Sequence, residues 1–241
     1  MMNKIDFDKL KEEIINDKNV FKPNLTSLLS YETAISQIKN NYKVLDLGCG
    51  SGIIGIALMK SFPNIEMYCS DLDNNSVNIT KKNYLKYKLE ADIKVGNLFY
   101  PWLNKKFDYI INDVSGISSI VAKNSPWYGD QIPCDSGKDG SNLALSIIEN
   151  AAIYLTKIGS IQIPLISLSN VQKIVNVAEK NFLETKIIKS KDWFLPKEME
   201  NIKSKMNELK SKNYINFDEK FGKIICKTSI AVCKKSIINN H

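Results

Sequence analysis

The sequence contains no arginine, and all 33 basic residues among its 241 are lysines. Bidentate contacts to bases and phosphates are made chiefly by arginine. The formal net charge is +7, but the lysines are spread along the chain and are denser only between residues 189 and 212. We therefore interpret this charge as a solvated face, with a nucleic-acid-binding surface as the alternative.

Histidine is almost absent, and the one histidine, His241, is the last residue. This excludes a histidine general base or a catalytic triad unless the tail folds back onto a site. The five cysteines form no C-x-x-C pair, so the spacing indicates neither a disulfide framework nor a zinc site, and we expect no metal. They are Cys49, Cys69, Cys134, Cys226 and Cys233.

Long apolar runs are also missing, since no stretch approaches the roughly 20 residues that a membrane span needs. The N-terminus carries four acidic residues within its first thirteen and does not resemble a signal peptide. The composition, 44% hydrophobic and 24% charged, is that of a globular protein. We expect a cytoplasmic protein with no membrane partner and one α/β domain with extra segments.

Residues 43–58 have the pattern of a buried strand, a glycine-rich turn and the start of a helix. The strand is short, apolar and β-favouring, and Gly48, Gly50 and Gly52 follow it directly. Glycines allow positive φ angles and let a ligand touch the main chain, while the N–H groups that open the helix near Ile53 face that ligand. The stretch predicts a small-molecule site.

Two interpretations of this loop compete. Gly50-x-Gly52-x-x-Gly55 matches the dinucleotide fingerprint, but its first glycine should follow the strand directly, and the residue there is Gly48. Counted from Gly48, the pattern Asp46-x-Gly-x-Gly-x-Gly resembles motif I of the class I S-adenosylmethionine-dependent methyltransferases. The resemblance implies S-adenosylmethionine as cofactor, with Asp46 near its methionine end and the glycines beside its adenosine.

A second strand, 65–70, ends at an acidic stretch. Asp71 follows the glycine loop by about 20 residues, the distance at which a strand-end acid meets ribose hydroxyls. We predict Asp71 as the ribose ligand and place Leu72 in the same cofactor site. Alternatively, Asp71 or Asp73 caps the helix that starts near Asn75, and one residue can do the first while the other does the second.

The chain alternates strand and helix signals from residue 42 onward, which indicates a mostly parallel sheet with helices on both faces. The predicted strands are 43–47, 65–70, 92–95, 107–112, 159–166, 185–190 and 224–233. The predicted helices are 2–18, 27–39, 53–61, 75–87, 141–156, 168–181 and 197–211. The fold class is a doubly wound, Rossmann-like, seven-stranded α/β sheet, and the resemblance implies an antiparallel last strand.

The predicted domain organisation has two parts. Residues 1–40 form an N-terminal helical segment that covers the cofactor site, and residues 41–241 form the methyltransferase domain, with a helical insertion at about 197–211. The stretch around Pro23 resembles the segment before motif I in the release-factor glutamine methyltransferases and small ribosomal RNA methyltransferases, where a similar loop closes over the cofactor. The resemblance implies that Phe21 or Thr26 lies near the methionine end. Oligomeric state does not follow from the sequence.

Asn97 follows the third strand. In the methyltransferases that the chain resembles, an acid at this position binds the adenine amino group. The resemblance therefore implies that Asn97 and the Leu98 main chain hold the adenine ring. An asparagine that caps a turn is an equally good interpretation.

The fourth strand ends in Asn112-Asp113-Val114-Ser115, which resembles the Asn-Pro-Pro-Tyr motif of amino-group methyltransferases. Asn112 is retained, and the resemblance gives it a catalytic and a cofactor-binding role. Asp113 and Val114 replace the prolines and Ser115 replaces the tyrosine, so the clamp for a planar amide or base is altered. Asp113 can accept a proton or pair with a cation, or it caps the next turn.

Residues 116–140 form a long loop, and loops of this length in compact domains are usually functional or disordered. Its aromatic residues argue against disorder, and we predict that Ser115, Trp127 and Tyr128 contact the substrate. The Gly137-x-Asp139-Gly140 stretch and the helix after it resemble the release-factor glutamine methyltransferases. The resemblance covers roughly residues 20–183.

The sequence thus predicts S-adenosylmethionine-dependent methyl transfer to a nitrogen or oxygen of a small molecule or a protein side chain. An RNA or DNA amino-group methyltransferase ranks below this because the chain has no arginine and no Pro-Pro-Tyr platform. A catalytically silent S-adenosylmethionine-binding module and a nicotinamide oxidoreductase are the rivals from other classes.

Overall fold

A computed structural model describes residues 5–114, 116–127 and 136–235. The α-helices are α1 (Phe7–Glu13), α2 (Leu25–Gln37), α3 (Ile53–Ser61), α4 (Asn74–Lys86), α5 (Ser119–Ala122), α6 (Asn142–Tyr154), α7 (Val171–Asn181) and α8 (Lys203–Ser211). Short 3-10 helices occupy Tyr100–Trp102 and Lys197–Ile202. None of the helices in these ranges is long and apolar enough to cross a membrane.

The strands form one sheet in the order β3-β2-β1-β4-β5-β8-β6, with β7 paired to β8. They are β1 (Lys43–Leu47), β2 (Glu66–Asp71), β3 (Asp92–Val95), β4 (Phe107–Asn112), β5 (Leu155–Ile166), β6 (Glu184–Phe194), β7 (Asp218–Lys220) and β8 (Lys223–Lys234). The first five strands pair in parallel and β8 runs antiparallel to its neighbours. This confirms the predicted fold class, and β7 is a short eighth strand that the sequence patterns did not reveal.

Helices cover both faces of the sheet because side chains alternate along its central strands. Val44 of β1 packs in a core with α1, α2, α3 and α4, whereas Leu45 packs in a second core with α6 and α7. Ile111 and Ile110 of β4 divide in the same way between the two cores. This confirms the predicted double winding. Consecutive side chains at the end of each of these strands point to opposite faces of the sheet.

A third apolar cluster, formed by Ile166, Leu168 and residues of the 197–211 segment such as Met199 and Met206, lies beyond the carboxyl edge of β5. Ile166 of β5 pairs with Thr228 of β8, so residues 223–227 of β8 pair only with β6 and β7. The insertion predicted at 197–211 packs here, but its first turn is a 3-10 helix. The Met199 N–H donates to the Pro196 carbonyl at 3.0 Å, which is the three-residue spacing of a 3-10 turn.

The N-terminal helix is shorter than the predicted 2–18. Asp6 caps α1 by accepting from the Lys9 N–H, and the helix ends at Glu13, because the following residue, Ile14, is extended. The next residue, Ile15, donates its N–H to the buried Asn83 Oδ1 at 2.7 Å, and Asn83 Nδ2 donates to the Ile15 and Ser51 carbonyls, both at 2.9 Å. A long-range contact thus ends the helix and ties the N-terminal segment to the glycine loop.

Replacing Asn83 with alanine should lower the free energy of unfolding by about 2 to 3 kcal/mol, because three backbone groups lose their partner at a buried position. Denaturant unfolding measures this loss. Asn78→Ala, on the exposed side of the same helix, is the matched control and should change stability by less than about 0.5 kcal/mol. Equal effects of the two variants would contradict the anchoring role.

Candidate functional site

The glycine loop after β1 depends on left-handed backbone at three positions. Gly48, Gly50 and Gly52 have φ angles of 77°, 55° and 78°, a region that side chains with a Cβ rarely adopt. A Cβ on Gly48 would lie 2.3 Å from the Val114 side chain, whereas a Cβ on Gly50 would have one contact within 4 Å, the Phe21 carbonyl oxygen at 3.9 Å. The Gly50 N–H donates to Asp71 and its carbonyl accepts the Thr80 hydroxyl, so the loop is held by hydrogen bonds while Gly50 lines the cavity.

A cavity of about 480 Å³ opens at this loop, beyond the carboxyl ends of β1, β2, β3 and β4. Its volume is within the usual range for small-molecule sites, about 300 to 1,000 Å³. Seven of the residues that the sequence predicted line it, namely Gly48, Gly50, Asp71, Leu72, Asn97, Leu98 and Asp113. The site thus forms at the edge of the sheet where ligands bind in folds of this class.

Asp71 connects the end of β2 to the glycine loop. Its carboxylate accepts the Gly50 N–H at 2.9 Å and the Asp73 N–H at 2.9 Å. Burial raises the pKa of Asp71, and these backbone hydrogen bonds oppose that rise. A carboxylate has about four lone-pair sites, so acceptor capacity remains for hydroxyl groups of a ligand.

Asp73 caps α4, as the alternative for this acidic pair predicted. Its carboxylate accepts the N–H groups of Asn75 and Ser76 at 3.2 and 2.8 Å. The two acids therefore divide their tasks: Asp73 satisfies the helix N-terminus, and Asp71 holds the loop and lines the cavity.

Leu72, Asn97 and Leu98 form the cavity wall beside the ends of β2 and β3. Leu72 is 57% exposed although it is apolar, which leaves its side chain available to a ligand. The Gly96 N–H donates to the Asp71 carbonyl at 2.9 Å, so the loop that carries Asn97 is tied to the end of β2. Leu98 has a φ of 45°, an unusual backbone conformation for a leucine.

Asn112 does not line the cavity, although the sequence placed it in both the catalytic and the cofactor site. It is fully buried, and its Oδ1 accepts the Val114 N–H at 2.9 Å. Its Nδ2 has no hydrogen-bond partner among the described residues. The alternation along β4 turns Asn112 toward the side of Ile110 and brings the next residue, Asp113, to the cavity.

Asp113 is held by two hydroxyl groups of α2. Ser27 and Ser30 donate to its two carboxylate oxygens at 2.8 and 3.2 Å. Burial raises the pKa of Asp113 to about 6, while the two serine hydrogen bonds act in the opposite direction. The sequence contained no signal for this contact, because the serines lie 86 and 83 residues before Asp113 in the chain.

Asp46 lies behind the cavity wall and is 1% exposed. Neither carboxylate oxygen makes a hydrogen bond of normal geometry to a described residue. Burial, and then the charge of Asp113, raise the pKa of Asp46 to about 8, although the Gly55 amide acts in the opposite direction. Asp46 is therefore mostly neutral at pH 7, and the structure does not bring it to the cavity surface.

The predicted site residues that remain are Trp127, Ser115, Tyr128 and Gly52. Trp127 packs edge to face against Trp193, with ring centroids 5.4 Å apart, and does not line the cavity. Ser115 and Tyr128 lie outside the described residues. Gly52 is the N-cap of α3 and stands beside the cavity rather than in its wall.

Part of the cavity wall consists of residues that sequence reasoning did not name individually, although the 116–140 loop was expected to line the substrate pocket. These residues come from α2, the loop after β4 and the start of α6, namely Ser27, Ser136, Asn142, Leu143 and Ser146. Ser136 Oγ accepts the Leu143 N–H at 2.7 Å, which fixes the start of α6. The Gly137-x-Asp139-Gly140 stretch beside them was a usable signal that this part of the chain reaches the site.

The stability of the protein should fall as the pH rises from 5 to 8. The folded state keeps a proton on Asp46 up to about pH 8, whereas the unfolded state loses it near pH 4, so folding binds protons in this window. The decline attributable to Asp46 is at most about 5 kcal/mol.

Denaturant unfolding of Asp46→Asn across this range should remove the part of the decline between pH 6 and 8. A slope that remains below pH 6 is that of Asp113 and Asp71, since burial raises the pKa values of both carboxyl groups. Asp92→Asn, which changes an exposed carboxylate at the opposite end of the sheet, should keep the wild-type profile. Parallel profiles for wild type and Asp46→Asn would contradict a protonated Asp46.

Residues 15–113 match the family model of the methyltransferase small domain. The release factor glutamine methyltransferase of Clostridium botulinum is 32% identical over 158 residues, which cover 60% of this chain and 54% of that protein. The ribosomal protein uL3 glutamine methyltransferase of Francisella tularensis is 28% identical over 130 residues, 52% of this chain and 41% of that protein. The chain thus spans about half the length of these curated relatives.

The fold comparison agrees with the sequence match. A 16S rRNA N2 G1207 methyltransferase of T. thermophilus, solved with AdoMet and guanosine, superposes with a TM-score of 0.55 at 16% identity, covering 89% of this chain and 44% of that one. The family match supports S-adenosylmethionine as cofactor. These findings confirm the resemblance read from motif I: in sequence and in fold, the chain is similar to the S-adenosylmethionine-dependent methyltransferases of the small-domain group.

Proposed function

We propose that this protein transfers a methyl group from S-adenosylmethionine to a nitrogen or oxygen nucleophile of a small molecule or a protein side chain. The observation that carries the proposal is the cavity at the ends of β1 to β4, which the glycine loop lines and where the Gly50 N–H donates to the Asp71 carboxylate. The match to the methyltransferase small domain covers these same elements.

The residues present fit S-adenosylmethionine. Gly48 and Gly50 line the cavity without side chains, which leaves room for a ligand beside the loop, and Asp71 keeps lone pairs for the ribose hydroxyls. Leu72, Asn97 and Leu98 suit the adenine ring. All charged side chains that line the described cavity are carboxylates, which suits a sulfonium cation. The cofactor would supply an electrophilic methyl group at this position.

The chain's own contribution is then positioning, which is the main requirement of an in-line displacement. Asn112 shapes the turn after β4 through its hydrogen bond to the Val114 N–H. Asp113 faces the cavity and is oriented by Ser27 and Ser30. Asp46 is buried in β1, near enough to Asp113 for the charge of that residue to raise the pKa of Asp46.

The N-terminal segment, residues 1–40, covers the methionine end of the cofactor in this proposal. Phe21, Pro23 and Ser27 line the cavity, and the Asn83 contacts hold Ile15 against the glycine loop. Residues 41–241 then form the methyltransferase domain that binds the remaining parts of the cofactor.

The relatives named above are glutamine methyltransferases of a release factor and a ribosomal protein, which favours a protein side chain as the acceptor here and agrees with a cytoplasmic location. Their amide specificity is not carried over, because Asp113 and Val114 stand at the positions of the two prolines. An RNA acceptor is the alternative, favoured by the guanosine in the T. thermophilus structure.

Calorimetric titration with S-adenosylmethionine and S-adenosylhomocysteine, with NAD as a control, tests the cofactor. Micromolar affinity for the first two ligands supports the proposal. Binding of NAD alone would show that the glycine loop serves an oxidoreductase. Binding of S-adenosylmethionine with no transfer to any component of a cell extract would favour a silent binding module.

Replacing Asp71 with alanine should weaken the affinity for S-adenosylhomocysteine by about 1 to 3 kcal/mol, since ribose hydroxyls would lose an ionised partner and the Gly50 N–H would lose its acceptor. Calorimetry at constant pH measures the change. Asp92→Ala removes an exposed carboxylate at the start of β3 and should leave the affinity unchanged. An unaltered affinity in Asp71→Ala would remove this residue from the site.

A further inference from the structure

We infer that the methyl acceptor is a basic amine, such as a lysine side chain or an alkylamine, that binds in its ammonium form at Asp113 and is methylated on nitrogen. The inference rests on the proposed methyltransferase function and specifies its acceptor. It differs from an amide acceptor in charge, because an alkylamine is protonated at neutral pH and an amide is not.

The charged side chains of the described cavity wall are negative, whereas the protein as a whole has a positive net charge. The protein has a formal net charge of +7, yet the charged side chains among the described lining residues are Asp71, Asp73 and Asp113. Asp73 is committed to the cap of α4 and Asp71 to the glycine loop. Asp113 is thus the carboxylate that remains for an acceptor, and a phosphate or carboxylate acceptor would be repelled.

Among the described residues, the end of β4 presents neither an asparagine oxygen nor an aromatic ring to a planar amide. An amide acceptor needs an oxygen that accepts its N–H groups, and the Oδ1 of Asn112 is buried and accepts the Val114 N–H instead. Val114, which follows Asp113 and lines the cavity, is aliphatic and offers no aromatic face. The polar side chain that the end of β4 presents to the cavity is therefore the carboxylate of Asp113 and not the amide of Asn112.

Asp113 has the capacity and the orientation to bind an ammonium group. Ser27 and Ser30 use one lone-pair site on each oxygen, which leaves about two of the four acceptor sites of a carboxylate. The two serines also fix the plane of the carboxylate, because both come from the rigid helix α2. A charge-assisted hydrogen bond from an ammonium group is about twice as strong as a neutral one.

The transfer step balances with this acceptor. The ammonium group gives one proton to the Asp113 carboxylate, and the freed lone pair on nitrogen forms a bond to the methyl carbon. The electron pair of the breaking carbon–sulfur bond stays on sulfur, which becomes a neutral thioether. The product amine carries the positive charge that the sulfonium lost, and Asp113 releases its proton to solvent once the product leaves.

The electrostatics of the methyl-transfer position can be measured without turnover. Sinefungin is an analogue of S-adenosylmethionine in which a carbon bearing an ammonium group replaces the methylated sulfur, whereas S-adenosylhomocysteine is neutral there. By calorimetry, the wild type should bind sinefungin at least about tenfold more tightly than S-adenosylhomocysteine.

Asp113→Asn should lose at least about tenfold in affinity for sinefungin and less than about threefold for S-adenosylhomocysteine. Asp92→Asn is the matched control and should preserve both affinities. Equal losses for the two ligands in Asp113→Asn, or no preference for sinefungin in the wild type, would overturn the inference. Failure of S-adenosylhomocysteine to bind at all would instead overturn the proposed function.

A second measurement uses only the wild-type protein, so it stands even if Asp113→Asn does not fold. The protein is incubated with S-adenosylmethionine carrying a labelled methyl group and with the Nα-acetyl amides of lysine, glutamine and glutamate. Label on the lysine probe in at least about tenfold excess over the other two supports an amine acceptor. Preferred labelling of glutamine or glutamate, or no difference among the three probes, would overturn it.

Discussion

The left-handed backbone of the three glycines after β1 is the constraint on which the site depends. It reverses the chain within a few residues so that the loop passes over the end of β2, where the Gly48 and Cys49 N–H groups both donate to the Ser70 carbonyl. The Asp71 carboxylate then holds the Gly50 N–H from the next residue of β2. The turn, the cavity and the start of α3 are consequences of one backbone conformation that residues with a Cβ adopt only under strain.

The N-terminal segment completes the cavity through polar contacts between distant parts of the chain. Asn83 holds Ile15 beside the glycine loop, and two serines of α2 hold Asp113 at the end of β4. Gln162 of β5 donates to the Ser30 carbonyl at 3.2 Å and accepts from the Tyr109 hydroxyl at 2.9 Å, so α2 is also tied to the sheet below it. The segment before β1 is therefore part of the site wall.

The charge of the cavity differs in sign from the net charge of the protein. The protein is rich in lysine, yet the charged residues among the described cavity lining are carboxylates, with the buried Asp46 behind them. Burial raises the pKa values of Asp46, Asp71 and Asp113 together. The carboxylates of Asp71 and Asp113 both line the cavity, so they disfavour further negative charge there and favour a cation, whether a sulfonium donor or an amine acceptor.

Local pattern determined the strands and the cofactor side of this protein. Strands β1, β3 and β4 have the predicted limits, and motif I with Asp71, Asn97 and Leu98 located the cavity, because glycine spacing and strand-end acids are read within short windows of sequence. Tertiary structure decided the acceptor side. Pairing of β4 with β1 turned Asn112 into the interior and Asp113 to the cavity, and packing of α2 supplied Ser27 and Ser30 from more than eighty residues away. Such contacts depend on where strands and helices meet in space, which residue spacing along one chain does not specify.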